Sequence, residues 1–82
     1  MQIAEITKDY HGYSAEDALK DLDQIVMCHK GDCEVTLTII TGMGVINEKL
    51  KKYLANVEPL LNISWTVPLN NPGNIIVNLE KI

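Results

Sequence analysis

Residues 38–50 read TIITGMGVINEKL, an apolar run that breaks into Gly-Met-Gly and then continues with helical spacing. The run begins at Glu34 as EVTLTIIT, whose β-branched residues are typical of a central strand buried on both faces. Two glycines between a strand and a helix let the backbone approach a ligand closely. The helix that follows presents unpaired N–H groups and a positive dipole end, so the stretch suits either a phosphate site or simply a tight corner.

The sequence on either side of this stretch predicts three more strands and one more helix. Apolar residues at helical spacing predict helices over 15–29 and 45–57, the first with Ser14 as its N-cap. Short apolar or alternating stretches predict strands over 3–10, 34–41, 62–67 and 75–80. Helical crossovers make the first three strands parallel, and a short turn makes the last one antiparallel. The pattern β-α-β-α-β-β therefore predicts a two-layer α/β sandwich, a mixed four-stranded sheet with two helices on one face.

The size and charge of the chain limit the functions it can have. Its 82 residues predict a single domain spanning 1–82. The net charge of −4 and the absence of arginine argue against a broad basic surface for nucleic acid. Residues 1–34 hold eight acids and three lysines, whereas residues 35–82 hold three acids and four lysines. The second half of the chain therefore leaves room for a local positive site.

The sequence also bears on the compartment. No apolar run reaches the roughly 20 residues of a membrane span, and the N-terminus lacks the features of a signal peptide. We therefore predict a cytoplasmic protein with no membrane partner, in which Cys28 and Cys33 are free thiols.

The stretch CHKGDC raises the question of a metal site, because it places Cys28, His29, Asp32 and Cys33 within six residues. A zinc site needs four ligands in suitable geometry, and this cluster crosses the predicted end of a helix. Buried or half-buried thiols are therefore favoured, and we predict neither a metal nor a cofactor.

The stretch DYHG, residues 9–12, follows the first predicted strand. Open α/β sheets bind ligands at the carboxyl ends of their strands, so Asp9 and His11 should lie near the glycine turn. Side chains two residues apart on a strand point the same way, so Asp9 could orient His11 as an acid/base pair. The alternative is a surface histidine beside a turn glycine, with Asp9 merely solvated.

Four aromatic residues could contact nucleobases. Tyr10 and Tyr13 flank the predicted site, where they would either stack on a base or cover the sheet edge. Tyr53 and Trp65 fall on predicted inner faces, which favours packing in the core.

Taken together and in this order, the motifs resemble those of the Smr domain. This small MutS-related domain lies at the end of one class of bacterial MutS proteins and also occurs free-standing. Its first motif, Asp-Leu-His-Gly before a helix, is similar to Asp9-Tyr10-His11-Gly12 followed by YSAEDAL. Its second, Thr-Gly-x-Gly after an apolar strand, is similar to Thr41-Gly42-Met43-Gly44. Its third, a Gly-rich turn before the last strand, retains Gly73 in NPGNIIVNLE.

The resemblance implies a fold similar to the C-terminal domain of a translation initiation factor, with the element order given above. It also implies binding to DNA or RNA, with structured or branched substrates included, and in several members nicking or endonucleolytic cleavage. The catalytic candidates that it implies are Asp9 and His11. The candidates for binding phosphate are Thr41, Gly42, Met43, Gly44, Lys49, Lys51 and Lys52.

Three functional hypotheses remain open at this point. The first is a metal-independent endonuclease, in which His11 transfers protons and the amides of residues 42–44 hold the scissile phosphate. The second is a non-catalytic nucleic-acid-binding module. The third is a protein-interaction domain that kept the fold and lost cleavage, which the acidic first helix would suit. In each case the chain would be a whole protein or the C-terminal domain of a larger one.

Overall fold

The computed structural model describes residues 3–29, 33–42, 44–61 and 63–80. In chain order the elements are β1 (Ile3–Asp9), α1 (Ala15–Cys28), β2 (Glu34–Ile40), α2 (Val45–Val57), β3 (Ile63–Thr66) and β4 (Asn74–Leu79). The predicted α/β class and the order β-α-β-α-β-β are confirmed, and each observed boundary lies within one residue of the prediction. Asn62, predicted to begin β3, lies outside the described residues.

The four strands form one mixed sheet in the order β1-β2-β4-β3. β1 and β2 are parallel, and β4 runs antiparallel to both of its neighbours, β2 and β3. The first three strands therefore share one direction, as predicted. β4 lies between β2 and β3, which places β1 and β3 at the two edges.

The core lies on one side of the sheet only. Alternate residues of β2 and β4 are buried against the helices, namely Val35, Leu37, Ile39, Ile75, Val77 and Leu79. The residues between them, such as Thr36, Thr38 and Asn78, are only partly buried. The prediction that β2 is buried on both faces is therefore wrong. Both helices join this one core, and Thr and Asn are suited to the half-solvated face that they leave uncovered.

The two helices bury the stripes that their spacing predicts. α1 buries Ala18, Leu22 and Val26, and Ser14 caps it by accepting a hydrogen bond on Oγ from the Asp17 N–H at 3.1 Å. α2 buries Leu50 and Leu54 in the same core.

The partly buried aromatic residues of the second half support this packing. Tyr53 of α2 and Trp65 of β3 both pack against the core, as expected. The Tyr53 hydroxyl also donates to Asp23 Oδ1 at 2.7 Å, which ties α2 to α1. Across the described ranges, neither helix is long and apolar enough to cross a membrane.

The core can be tested at Leu22, which is fully buried under the sheet. Leu22→Ala should lower the free energy of unfolding by about 2–5 kcal/mol, because it removes buried methyl groups and leaves a cavity. Lys20→Ala on the exposed side of the same helix is the control, with an expected change within about 0.5 kcal/mol. Urea unfolding followed by circular dichroism measures both, and equal losses would contradict this description of the core.

Candidate functional site

Three turns lie at the same end of the sheet, where β1 and β2 finish and β4 begins. The parallel register of β1 and β2 ends with Asp9 opposite Ile40, and the Tyr10 N–H continues the pairing by donating to the Ile40 carbonyl at 2.9 Å. β4 begins with Asn74 opposite Ile40. The DYHG turn (residues 9–12), the glycine loop (residues 41–44) and the NPGN turn (residues 71–74) are therefore neighbours. Met43, a predicted member of the site, lies outside the described residues.

In the DYHG turn, the Asp9 side chain binds the backbone of His11. β1 ends at Asp9, and the chain then reverses in a turn closed by the Tyr13 N–H donating to the Tyr10 carbonyl at 3.0 Å. Gly12 occupies the turn position with φ 92°. Asp9 Oδ1 accepts from the backbone N–H of His11 at 2.9 Å. The contact between the two residues therefore runs through the backbone, and strand alternation does not extend to His11. Both side chains are exposed at the edge.

Tyr10 belongs to the core and is not free to stack on a base. Its side chain is 0% exposed, and its hydroxyl donates to Asp21 Oδ2 at 2.7 Å. Burial, this hydrogen bond and the charge of Asp21 raise the pKa of Tyr10 well above its ordinary value, so the hydroxyl stays protonated. Tyr13 is 44% exposed, with its ring centroid 5.1 Å from that of Tyr10. Of the two tyrosines, Tyr13 alone offers a surface to a ligand.

The glycine loop presents backbone amides at the start of α2. Gly44 is the N-cap, with φ 142° and no side chain to cap the helix, in contrast to Ser14 of α1. The first helical hydrogen bond runs from the Glu48 N–H to the Gly44 carbonyl, so the three preceding N–H groups have no acceptor within the helix. A Cβ built at Gly42 or Gly44 would meet nothing within 4 Å. The outer side of this backbone is therefore open, and it suits an anion.

Thr41 and Asn47 hold the loop from inside. Both are buried, with 8% and 3% exposure. Asn47 Nδ2 donates to Thr41 Oγ1 at 2.9 Å and to the Pro72 carbonyl at 3.4 Å. The Thr41 hydroxyl lies 2.8 Å from the Gly42 carbonyl and 3.0 Å from the Gly73 carbonyl, and its one proton serves one of them at a time. The Thr41 side chain thus shapes the loop rather than facing a ligand.

Sequence reasoning missed Asn47. The available signal was its position on the apolar stripe of α2, three residues before Leu50 and seven before Leu54. A polar side chain at such a position is buried and needs partners, which the neighbouring turns supply.

Gly73 brings the NPGN turn against the glycine loop. Its carbonyl accepts from the Thr41 N–H at 2.9 Å and from the Gly42 N–H at 3.0 Å. A Cβ at position 73 would lie 3.1 Å from the Gly42 Cα, closer than ordinary packing tolerates. The single glycine left in the third motif therefore lies where a side chain would crowd this backbone contact.

The three lysines of α2 do not share one face. Lys49 lies four residues before Tyr53, so both are on the flank of α2 that contacts α1 through Tyr53. Lys52 lies three residues after Lys49 and is next to it on the helix surface. Lys51 falls on the opposite flank, because successive residues of a helix are turned by about 100°. Lys49 and Lys52 are exposed and Lys51 is half-buried.

The two cysteines of the stretch CHKGDC differ in burial. Cys28 is exposed, which differs from the predicted burial, while Cys33 is half-buried against the core, and both are free thiols. Asp32 lies outside the described residues. Elsewhere in the described ranges, no three His, Cys, Asp or Glu side chains are grouped to hold a metal ion.

Comparison with known proteins leaves the family undecided, because no family model, no curated protein and no solved structure matches this chain. The resemblance to the Smr domain therefore stays a prediction based on the motifs.

The internal support of the loop can be tested at Asn47. Asn47→Ala should destabilise the domain by about 1–3 kcal/mol, because the buried Thr41 hydroxyl and the Pro72 carbonyl lose a donor. Asn56→Ala, on the exposed side of α2, is the matched control and should change stability by less than about 0.5 kcal/mol. Chemical denaturation measures both, and an unchanged Asn47→Ala variant would show that the network does not hold the loop.

Proposed function

We propose that this domain binds the phosphate backbone of RNA or DNA at the end of the sheet where the glycine loop and the DYHG turn lie. A further part of the proposal is that His11 transfers a proton in the cleavage of bound RNA. The resemblance to the Smr domain, which stays a prediction, suggests the same class of function.

One observation carries the proposal. β1 and β2 end side by side, and β1 is followed by an exposed histidine while β2 is followed by the uncapped N-terminus of α2. Asp9 and Ile40 are register partners, and neighbouring strands lie about 4.8 Å apart. The segments that follow them are therefore within reach of one nucleotide. The amides at the start of α2 would hold a phosphate oxygen, with the helix dipole favouring its negative charge. The Gly42 amide, predicted to bind phosphate, already donates to the Gly73 carbonyl.

The proposed chemistry uses the 2′-OH of RNA as the nucleophile. The His11 imidazole would take the 2′-OH proton while the oxygen attacks phosphorus, and the bond to the 5′-oxygen would break. A water molecule would protonate the leaving oxygen, giving a 2′,3′-cyclic phosphate and a free 5′-OH. The amides at the start of α2, which have no acceptor within the helix, would stabilise the charge developing on the phosphate.

The alternative of a protein-interaction domain rested on the acidity of α1. Two of the four carboxylates of that helix already have internal partners, since Asp21 accepts from Tyr10 and Asp23 accepts from Tyr53. Lys8 Nζ also lies 3.8 Å from Asp21 Oδ2. Asp21 and Asp23 therefore also serve the packing of α1, although Asp23 stays exposed together with Glu16 and Asp17.

The lysines give a graded test of binding. The double variant Lys49→Gln/Lys52→Gln should lower the slope of log binding constant against log salt by up to about 1.4 on single-stranded RNA, because each phosphate contact contributes about 0.7. Lys51→Gln, on the other flank, is the control and should change the slope less. Fluorescence anisotropy at several salt concentrations measures both. A wild type that binds neither RNA nor DNA at low salt would refute the proposed function.

A second test separates catalysis from binding. His11→Ala should reduce cleavage of end-labelled RNA by about 10²–10⁴-fold, because it removes the acid/base group. Its stability should stay within about 0.5 kcal/mol of the wild type, since the side chain is exposed. Binding should weaken only mildly, because the amides at the start of α2 can still bind the phosphate.

Gly44→Val provides the contrasting variant. A β-branched residue is strained at φ 142°, so this change should impair both binding and folding. Each variant is assayed with RNA and with DNA, in the presence of Mg²⁺ and of EDTA. Cleavage that persists in His11→Ala would rule out the catalytic role and leave the binding role standing.

A further inference from the structure

β1 leaves apolar side chains exposed beside an open edge. Within the described ranges it pairs only with β2, so its other side carries unpaired backbone groups. Ile6 and Ala4 are register partners of the core residues Leu37 and Val35 and so lie on the helix side of the sheet. Both are nevertheless exposed, Ile6 by 38%. A further strand beside β1 would cover Ile6 and Ala4, and the sheet of a single copy has none in the described ranges.

The flank of α1 above β1 shares this exposure. The contact between Lys8 and Asp21 shows which flank of α1 faces β1. Ile25, one turn after Asp21, lies on that flank and is only partly buried. Ile6 and Ile25 therefore both lie along the free edge with part of their apolar surface uncovered.

Backbone alternation decides which groups of β1 point outward. The Tyr10 N–H points to β2, so the N–H and C=O groups of Lys8, Ile6 and Ala4 do so as well. Those of Glu5, Thr7 and Asp9 point away from the sheet. In an antiparallel pair, opposed residues either both exchange hydrogen bonds or both lack them. A second β1 strand can therefore pair only in registers centred on a residue.

Charge then selects one register among these. Centring on Glu5 sets two glutamates opposite each other, and centring on Thr7 sets Glu5 opposite the partner's Asp9. Centring on Lys8 opposes two lysines, and centring on Ala4 leaves a short overlap. Like charges directly opposite each other destabilise a sheet. Only the register centred on Ile6 pairs the whole strand without such a clash.

We propose that this chain forms a two-fold homodimer in which β1 pairs antiparallel with the β1 of a second copy, centred on Ile6. Ile6 then faces the partner's Ile6 in a close pair without hydrogen bonds, and Glu5 exchanges two hydrogen bonds with the partner's Thr7. The joint sheet has eight strands, with the helices of both copies on one side. The glycine loops lie at opposite ends of it and stay uncovered, so the dimer is independent of the proposed nucleic-acid function.

The test measures association of the full chain without nucleic acid. Sedimentation equilibrium at increasing concentrations, up to about 1 mM, should show a reversible dimer, as expected for a small edge contact. Ile6→Lys should abolish it, because two lysines then meet at the two-fold axis. Circular dichroism checks that this variant is folded.

A charge-swap pair tests the register on exposed side chains. Thr7→Glu places glutamate opposite the partner's Glu5 at two symmetric positions, so it should raise the dimer dissociation constant about 2- to 30-fold. Adding Glu5→Lys creates two ion pairs and should restore or tighten the dimer. A wild type that stays monomeric at 1 mM would overturn the proposal. So would a dimer that Ile6→Lys or the charge swap leaves unchanged.

Discussion

The rest of the structure depends on the contact between the Gly73 carbonyl and the amides of Thr41 and Gly42. This contact fixes where β4 begins relative to the end of β2, and so it sets the register in which Asn74 opposes Ile40. A slip of one residue would turn the apolar face of β4 away from the helices. Glycine suits the approach, because a Cβ at position 73 would lie in tight contact with the Gly42 backbone. The turn therefore supports the register that keeps the apolar face of β4 toward the helices.

The same contact prepares the candidate site. Thr41 and Asn47 satisfy each other and the neighbouring carbonyls from inside, so the loop needs no ligand to keep its shape. No side chain caps the amides at the start of α2. Under the proposed function, a phosphate would bind those amides without having to order the loop. The fold itself uses the Thr41 and Gly42 amides, so the proposed site would not compete with it for the same hydrogen bonds.

Local patterns predicted the elements well, and non-local packing decided what they missed. Helical and alternating spacing identified six elements because such periodicity depends on near neighbours. Burial of β2 was overestimated because its Thr residues suit a half-solvated face as well as a buried one. Parallel strands were enough to predict that the turns lie close together. The burial and hydrogen bonding of Tyr10 and Asn47 depended on Asp21 and Pro72, which are 11 and 25 residues away. No spacing rule in one sequence supplies those partners.

The charge of the domain limits how the candidate site, at the end of β1 and β2, could attract an anion. Asp9 is exposed there, and Glu16 and Asp17 lie in the first turn of α1, where their charge is matched to their own helix dipole. Asp21 and Asp23 each accept a hydrogen bond from a tyrosine hydroxyl, although Asp23 stays exposed. With no arginine in the chain, the proposed site would depend mainly on backbone amides and the dipole of α2, and less on the lysines of α2. Amides recognise a phosphate by geometry and not by base identity, so under the proposed function selectivity would come from the shape of the bound strand and from its fit against Tyr13 and His11.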